Sequence, residues 1–264
     1  MAVETFGNAA KKRSAGPGGF AVKKLVCALL GSCDFEKALE NLDIAPIKII
    51  NPLLGFLAAL DELTRWRAIR GVGITVSAIA ATDIEAAREI MRRLIWSLND
   101  ESGGIGWGAP EAMGEIMAEN ETLACEYHRI LLSYIDENGN PLENGLLERG
   151  VMWGVARLAQ KRPGLLRDFL DPIVSQLQAG DPVKRGLALK TLLLLAGSSE
   201  KLPEPGRLAP LLRLLSGDPS EIRLFEDGAF SPYKIGDMAG KLLSLPVFFL
   251  ETPEGPGPTP RENR

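Results

Sequence analysis

Side chains that could perform chemistry are sparse in this chain of 264 residues, and the tightest grouping is Cys125-Glu-Tyr-His128. On a helix this spacing places a thiol and an imidazole about one turn apart. A metal site needs about three or four ligands, and a Cys–His catalytic pair needs a stabilised thiolate with access for a substrate. His128 is the only histidine, and Cys27 and Cys33 do not have a common ligand spacing. Ordinary helix packing is therefore the favoured interpretation, and we expect no metal and no cofactor.

A second grouping consists of three carboxylates, Glu111, Glu115 and Glu119, spaced by four residues. This spacing places them on one face of a helix. The first two would also complement the positive end of the helix dipole. A solvated acidic face is the favoured interpretation, and the alternative is an acidic stripe that pairs with basic side chains of a partner. Metal binding is less favoured, because a di-iron bundle would need Glu-x-x-His motifs on facing helices.

A glycine-rich segment, residues 103–108, precedes these carboxylates and contains Trp107. Glycine-rich loops that open a helix can bind phosphate through backbone N–H groups. The preceding residues, 92–98, have a helical rather than a strand pattern, and Glu111 and Glu115 would repel an anion. Two other interpretations remain: a turn between helices with Trp107 packed inward, and a loop that binds a peptide or a small ligand. We predict that this loop and the helix after it belong to the functional surface.

Composition narrows the classes of protein to which this chain can belong. The formal net charge is −4 and the pI is about 5.3, so the basic excess that is typical of nucleic-acid binders is missing. Three cysteines, an odd and low number, favour a reducing compartment. The longest apolar run, Leu187 to Gly197, is interrupted by Lys190 and is too short to span a bilayer. We therefore expect a cytoplasmic protein that does not insert into membranes.

The elements that must position these residues have helical periodicity almost throughout residues 20–250. Residues 72–79 alternate like a strand, but they lie among helical neighbours and we interpret them as helix. Good strand candidates are otherwise missing. Residues 1–19 and 251–264 are rich in glycine, proline and polar residues, so we predict disordered tails on either side of one helical domain. Deleting residues 1–19 and 254–264 should leave the melting temperature nearly unchanged.

Small residues recur along the helical region at the intervals of a helical repeat. They are Gly71, Ala112, Gly150, Gly186 and Gly236, separated by 41, 38, 36 and 50 residues. The first three steps match a pair of helices with their turns. Small side chains would let neighbouring helices approach closely. The longer last step indicates an insertion near residues 222–231.

The residue before each small position forms a column of charged side chains. Arg70, Glu111, Arg149 and Arg185 occupy it in the first four repeats. Hydrogen bonds to neighbouring turns and contacts with a partner are both open interpretations of this column. The arginines join Trp107 and the three glutamates as candidate residues of a binding surface.

The segment from Asp181 to Leu192, Asp-Pro-Val-Lys-Arg-Gly-Leu-Ala-Leu-Lys-Thr-Leu, resembles the second helix of a HEAT repeat, and residues 146–159 are similar. Residues 101–115 also resemble uncharacterised bacterial HEAT-repeat proteins. The resemblance covers roughly residues 45–245. It implies an all-α fold, a right-handed α-solenoid of HEAT/armadillo-like helix pairs, in which the second helices line the concave surface. It specifies a fold and not an activity.

The sequence favours a non-enzymatic protein-interaction scaffold or regulatory binding module with a protein partner, because the concave face of a solenoid is a common binding surface. One alternative is a HEAT-like enzyme that acts on nucleic acid or a pigment, similar to glycosylases or lyases. A glycosylase would need a basic channel, aromatic side chains and a placed carboxylate, and Arg65, Trp66, Arg67 and Arg70 could begin such a patch. A second alternative is a small-molecule sensor that uses the Trp107 loop.

Overall fold

The computed structural model of the protein describes residues 18–99, 106–198, 200 and 202–246. Over these residues the chain is an all-α solenoid with one inserted β-hairpin. Two short 3-10 segments, Pro163–Phe169 and Gln176–Gln178, flank the ninth helix. The described α-helices are α1 (Gly19–Leu30), α2 (Phe35–Glu40), α3 (Pro46–Gly55), α4 (Glu62–Ala80), α5 (Ile84–Leu98), α6 (Ala109–Glu119), α7 (Glu121–Ser133), α8 (Gly145–Lys161), α9 (Leu170–Ser175), α10 (Pro182–Gly197), α11 (Pro205–Leu215) and α12 (Ile235–Leu243).

The helices form two layers. The inner layer consists of α4, α6, α8 and α10, each packed on the next, and it continues through α12. Helix α5 packs on α4 and α6, and α7 packs on α6 and α8, which places them in the outer layer. The predicted helix pairs and the predicted all-α solenoid are confirmed. Residues 72–79, with their strand-like alternation, lie inside α4.

Helix starts are set by side chains that accept hydrogen bonds from the first free backbone N–H groups. Asp61 accepts from Thr64 at 2.8 Å and Asp83 accepts from Ala86 at 3.0 Å. The same capping occurs at the starts of α7, α8 and α10, through Asn120, Asn144 and Asp181. Each cap fixes where an inner or outer helix begins, and so fixes the register of the layers.

The recurrent small residues allow close approach between elements, as predicted. A Cβ atom added to Gly71 would lie 3.1 Å from Leu53, and one added to Gly186 would lie 2.1 Å from Ile222. Added to Gly150, it would lie 2.5 Å from a carboxylate oxygen of Glu111. At each of these positions a side chain of a neighbouring element packs directly against the glycine.

The 50-residue interval between Gly186 and Gly236 contains an antiparallel β-hairpin. It is made of β1 (Glu221–Glu226) and β2 (Ala229–Lys234). Its two-residue turn has positive φ at Asp227 (49°) and Gly228 (82°), as a type I′ turn requires. The insertion predicted near residues 222–231 is therefore a hairpin, and the expectation that good strands are missing was wrong here. Ile222 and Leu224 are buried on one face of β1, which gives the strand a core-facing side.

The predicted tails, residues 1–19 and 251–264, lie outside the described residues except for Gly18 and Gly19, and Gly19 already opens α1. None of the described helices is long and apolar enough to cross a membrane.

Candidate functional site

The hairpin packs on one face of α4, α8 and α10, which we call the inner face. A pocket lies between the hairpin and this face. The pocket has a volume of about 220 Å³. The pocket is lined by residues of α4, α8 and α10, of the start of α6 and of the hairpin. We call this cavity the aromatic pocket. Its lining includes Trp66, Trp107, Trp153, Phe225 and Phe230.

Four of these rings form a continuous cluster that joins the hairpin to the inner helices. Trp66 lies 4.7 Å from Trp153 and 5.3 Å from Phe225 between ring centroids, and the rings of Trp66 and Phe225 are nearly parallel. Phe230 meets the edge of Phe225 at 5.4 Å. The indole N–H of Trp153 donates a hydrogen bond to the backbone carbonyl of Phe225 at 3.3 Å. These contacts hold the hairpin against α4 and α8.

Trp107 reaches the pocket from the turn that begins α6. Residues 103–105 of the glycine-rich segment lie outside the described residues, whereas 106–108 are described. Trp107 is partly buried and packs against the hydrophobic core. Gly108 has φ of 73° and its Cα approaches Leu57, where an added Cβ would lie 3.0 Å from the carbonyl oxygen. Only glycine combines that backbone conformation with that approach at low cost.

Glu111 lies in the first turn of α6 and is one of two glutamates that line the aromatic pocket. Its Oε2 atom is buried and has no hydrogen-bond partner among the described residues. Burial raises the pKa of this carboxyl to about 7, and the nearby charge of Arg65 opposes the rise. The carboxylate rests against Gly150 of α8, where no side chain intervenes. A buried acceptor without a partner is costly to the stability of the folded protein.

A second unpaired polar atom belongs to the same pocket. The indole Nε1 of Trp66 is buried and has no partner among the described residues. A buried indole N–H normally finds an acceptor. Two residues of the lining therefore carry a buried polar atom without a partner, one an indole donor and the other a carboxyl oxygen.

The charged lining of the pocket is mostly basic. Arg65, Arg149 and Arg223 line it, with Glu62 as the other acidic residue besides Glu111. Arg223 lies 4.6 Å above the ring of Phe230 and 3.8 Å from Glu62. Arg65 has no ion pair among the described residues. The lining thus keeps an excess of positive charge around an aromatic interior.

The predicted acidic stripe has a different role from the one expected. Glu115 is 3% exposed, because its backbone packs against Gly73 and its side chain lies between two inner helices. Its carboxylate pairs with Arg70 and Arg157, each at 3.0 Å. Burial raises the pKa of Glu115, against the lowering effect of these two arginines. The expectation of a solvated acidic face was wrong for this residue.

Glu119 completes the same ionic network. Its carboxylate contacts the guanidinium of Arg70 and lies 3.3 Å from Arg157. Burial alone would raise the pKa of Glu119, but the hydrogen bond and charge of Arg70, together with the charges of Arg157 and Lys161, outweigh burial and lower the pKa. Arg70 also pairs with Glu36 at 3.1 Å. Arg70 and Glu119 are therefore engaged within the chain, and of the three glutamates only Glu111 faces the aromatic pocket.

The arginine column links successive repeats. Arg149 on α8 pairs with Asp181, the N-cap of α10, at 2.5 Å. Arg185 on α10 pairs with Asp218 at 2.7 Å and donates to the carbonyl oxygens of Ala179 and Gly180. Of the two open interpretations of this column, the structural hydrogen bonds are present. Of the three arginines of the column, only Arg149 lines the aromatic pocket, as Glu111 of the same column does.

The side chains of Cys125 and His128 have different surroundings. Cys125 is exposed, and the ring of buried His128 bonds the carbonyl oxygen of Ala124 at 2.9 Å and meets the edge of Phe169. Within the described ranges, no group of three or more His, Cys, Asp or Glu side chains could hold a metal ion.

Comparison with known proteins adds little beyond the fold. No family model matches the chain. An uncharacterised protein of Archaeoglobus fulgidus is 33% identical over 95 residues, 36% of this chain, and the match spans 46% of that protein, just under half of its length. A crystal structure of computationally designed armadillo repeat proteins for modular peptide recognition has 16% identity and a TM-score of 0.47, covering 85% of this chain and 91% of that one. A likeness at this score supports no functional conclusion.

Sequence reasoning named Trp107, Glu111 and Arg149 of this pocket as binding residues, and Arg65 and Trp66 as the start of a patch in the glycosylase alternative. It missed Trp153, Phe225 and Phe230. Trp153 sits in a helix where it looks like an ordinary core residue. Phe225 and Phe230 lie on the hairpin, whose signal was the Asp227-Gly228 dipeptide between two runs rich in β-forming residues. That signal would have identified the hairpin, but not the helices on which it packs.

Proposed function

We propose that this protein is a regulatory binding module that recognises one compact group, of a small ligand or of a protein partner, in the aromatic pocket. The observation that carries the proposal is a pocket walled by tryptophan and phenylalanine rings, whose lining includes Glu111 with its buried, unpaired carboxyl oxygen. Pockets that bind ligands combine apolar walls with a few placed polar groups. An unsatisfied carboxyl group in such a pocket costs stability, which a bound ligand would restore.

The position of the hairpin favours a pocket over a long groove. In an open solenoid the inner helices can bind an extended peptide along their whole length. Here Phe225 stacks on Trp66 of α4, and Lys190 of α10 pairs with Glu226 at 2.7 Å. The hairpin thus covers the face that such a peptide would occupy. A protein partner would therefore insert a single side chain or terminal group, or bind outside this face.

The proposal is tested by thermal shift with a panel of amino acids, short peptides, aromatic acids and nucleotides. A ligand that binds the folded state raises the melting temperature by an amount that grows with the ratio of its free concentration to its Kd. The expected result is a stabilising ligand whose effect is lost in Glu111→Gln and in Trp153→Phe. Trp96→Phe is the matched control, because Trp96 is 75% exposed on α5 and does not line the pocket.

Two outcomes would contradict the proposal. One is a ligand or partner that stabilises the wild-type protein and the two pocket variants equally. The other is a partner whose binding is abolished by charge reversal on the outer helices, for example Arg88→Glu on α5, and is untouched by Glu111→Gln.

A second candidate function is an enzyme that acts on nucleic acid and uses Glu111 as its acid or base. The observation in its favour is the pKa of about 7, which suits a group that must donate and accept protons near neutral pH. The aromatic rings and the arginines of the lining also match the requirements of a glycosylase-like site. The net charge of −4 opposes it.

Retention on heparin separates the two candidates. A nucleic-acid enzyme should elute later than its pI suggests, with a steep dependence on salt. Base excision from an alkylated duplex, abolished in Glu111→Gln, would establish the enzyme. Weak retention without excision would leave the binding module.

A further inference from the structure

We infer that the tip of the hairpin, residues 224–230, covers a docking surface for an extended segment of a protein partner. In that segment an aromatic residue is followed by an acidic one, and the segment binds by taking the place of the tip. The proposed function concerns the protein with its hairpin in place. This inference goes beyond it, to the surface that the hairpin covers.

Strand β1 lies across the inner helices as an extended segment. Near its base, Ile222 packs against Gly186 of α10. Further along, Phe225 contacts α8 and α4 through Trp153 and Trp66. The turn that follows lines a cavity together with residues of α2. The strand therefore crosses successive inner helices, as an extended segment bound along the face of a solenoid does.

The contacts of the tip are ones that another chain can reproduce. The ring of Phe225 stacks on Trp66 at 5.3 Å, and its backbone carbonyl accepts the indole N–H of Trp153 at 3.3 Å. Every residue of any partner has such a carbonyl. The carboxylate of Glu226 pairs with Lys190 at 2.7 Å. An aromatic residue followed by an acidic one, on extended backbone, satisfies all three contacts.

The charge of the surface requires the acidic residue. The side chain of Lys190 is only 20% exposed, and its ion pair is with Glu226. A cation this far from solvent is costly without a counter-charge. When the tip leaves, a partner that brings a carboxylate to Lys190 removes this cost. A purely apolar segment would leave it in place.

The tip is packed less firmly than the base of the hairpin. A second cavity, of about 210 Å³, adjoins the aromatic pocket, and both cavities are lined by Leu224 and Phe225. Side chains that border cavities have fewer packing contacts to lose. At the base, Ile222 is buried, and the N–H of Ile235 donates to the carbonyl of Ser220 at 3.0 Å.

The hairpin also depends on the helices for its stability. None of the six described residues of β2 is buried, so the strand contributes little to holding the hairpin in place. A two-stranded hairpin on its own is at best marginally stable in water. Local opening of such an element costs less free energy than global unfolding. We therefore expect the tip to open about an anchored base.

The first arm of the test measures binding of a labelled peptide, with the sequence of residues 223–230, to the full chain by fluorescence anisotropy. In the wild type the tethered tip competes at an effective concentration in the mM range, so the peptide should bind weakly. Glu226→Lys in the full chain places two cations together and loosens the tip. It should bind the peptide at least about 10-fold more tightly, because apparent affinity rises with the open fraction.

Two further variants complete this arm. Phe225→Ala removes the ring of the tip and should also raise the affinity for the peptide by at least about 10-fold. Glu137→Lys is the matched control: it reverses a charge at an exposed position between α7 and α8, and should bind like the wild type. Circular dichroism checks that each variant retains its helices. If Phe225→Ala does not fold, Glu226→Lys and the charge exchange described next decide.

The second arm exchanges the charges of the ion pair. Glu226→Lys and Lys190→Glu both remove the pair within the chain, so a merely structural role would change peptide binding alike in both. If the peptide occupies the site of the tip, Glu226→Lys binds the unaltered peptide. Lys190→Glu should reject that peptide and bind one that carries Glu226→Lys, with at least about 10-fold preference between the two peptides in each protein.

Three outcomes would overturn the inference. The peptide could bind the wild type and the loosened variants with equal affinity, or bind none of them. The two charge variants could fail to distinguish the two peptides. Light scattering tests a third possibility, exchange of hairpins between two copies of the chain: loosened variants that form dimers which the peptide does not dissociate would assign the surface to a second copy and not to a partner segment.

Discussion

A methyl group added to Gly114 on α6 would lie 2.4 Å from the Cα atom of Gly154 on α8. The two inner helices therefore cross in direct backbone contact at this point. The contact lies one turn beyond Glu111, so it also sets the distance between the α6 and α8 sides of the aromatic pocket. Any side chain here would separate the helices.

Gly114→Ala should lower the free energy of unfolding by about 3 kcal/mol or more, because the clash is with backbone that cannot rotate away. Gly240→Ala is the matched control: it lies on the exposed face of α12 with nothing within 4 Å. Alanine should stabilise that position by about 0.5–1 kcal/mol through its helix propensity. Urea denaturation measures both. Equal effects of the two substitutions would contradict the close crossing.

Glu111→Gln should stabilise the protein at neutral and alkaline pH and not in acid. The folded-state pKa of about 7 lies above the ordinary 4.5, so the folded protein holds a proton that the unfolded chain releases. The wild type therefore loses stability as pH rises from about 4.5 to 7, by at most about 3 kcal/mol. Unfolding curves of both proteins at pH 4, 6 and 8 test this.

The control for the Glu111→Gln experiment is Glu126, a carboxyl group whose pKa shifts in the opposite direction. The hydrogen bond with Arg88 lowers the pKa of Glu126, so its ionised form stabilises the folded state. Glu126→Gln should slightly destabilise the protein at pH 8, and the difference should shrink as pH falls through the lowered pKa. A Glu111→Gln difference that does not change with pH would show that the carboxyl is not buried as described.

Trp107→Ala should lower the free energy of unfolding by about 2 kcal/mol. The side chain is partly buried against the core, so the loss should be smaller than the 3–5 kcal/mol typical of a fully buried tryptophan. Trp96→Ala, at an exposed position, should change stability by less than about 0.5 kcal/mol. Thermal melts of the two variants and of the wild type measure these losses of stability. A Trp107→Ala protein as stable as the wild type would place the ring in solvent.

A double-mutant cycle on Arg70 and Glu115 should give a coupling energy of about 1–3 kcal/mol, because one partner is 4% exposed in its side chain and loses a counter-ion that water cannot replace. The same cycle on Arg88 and Glu126, a more exposed pair, should give a clearly smaller coupling energy, because water screens the two charges. Chemical denaturation of the four proteins in each cycle provides the values. Similar coupling in both pairs would mean that the buried network is hydrated.

The helical character of the chain and its repeats were accessible from the sequence, because apolar periodicity, helix-breaking residues and the recurrent small residues are local signals. The arrangement of the helices before residue 45 was not predicted. Gly71, Gly150 and Gly186 mark close contacts that spacing alone predicted. The network around Glu115 was not accessible, because its partner Arg157 lies 42 residues away on the next inner helix. Nor was the pocket, since it exists only where the hairpin meets α4 and α8. A local sequence pattern predicts which face of a helix is buried, but it does not predict which other element packs on that face.

The hairpin changes how the solenoid should fold. In an open array each repeat touches only its neighbours, so the ends can fray independently and stability is nearly additive along the chain. Stacking of Phe225 on Trp66 instead ties a strand near one end to a helix near the other. This long-range closure raises the contact order and couples distant repeats, which slows folding. It should also make the repeats between Trp66 and Phe225 melt as one cooperative unit.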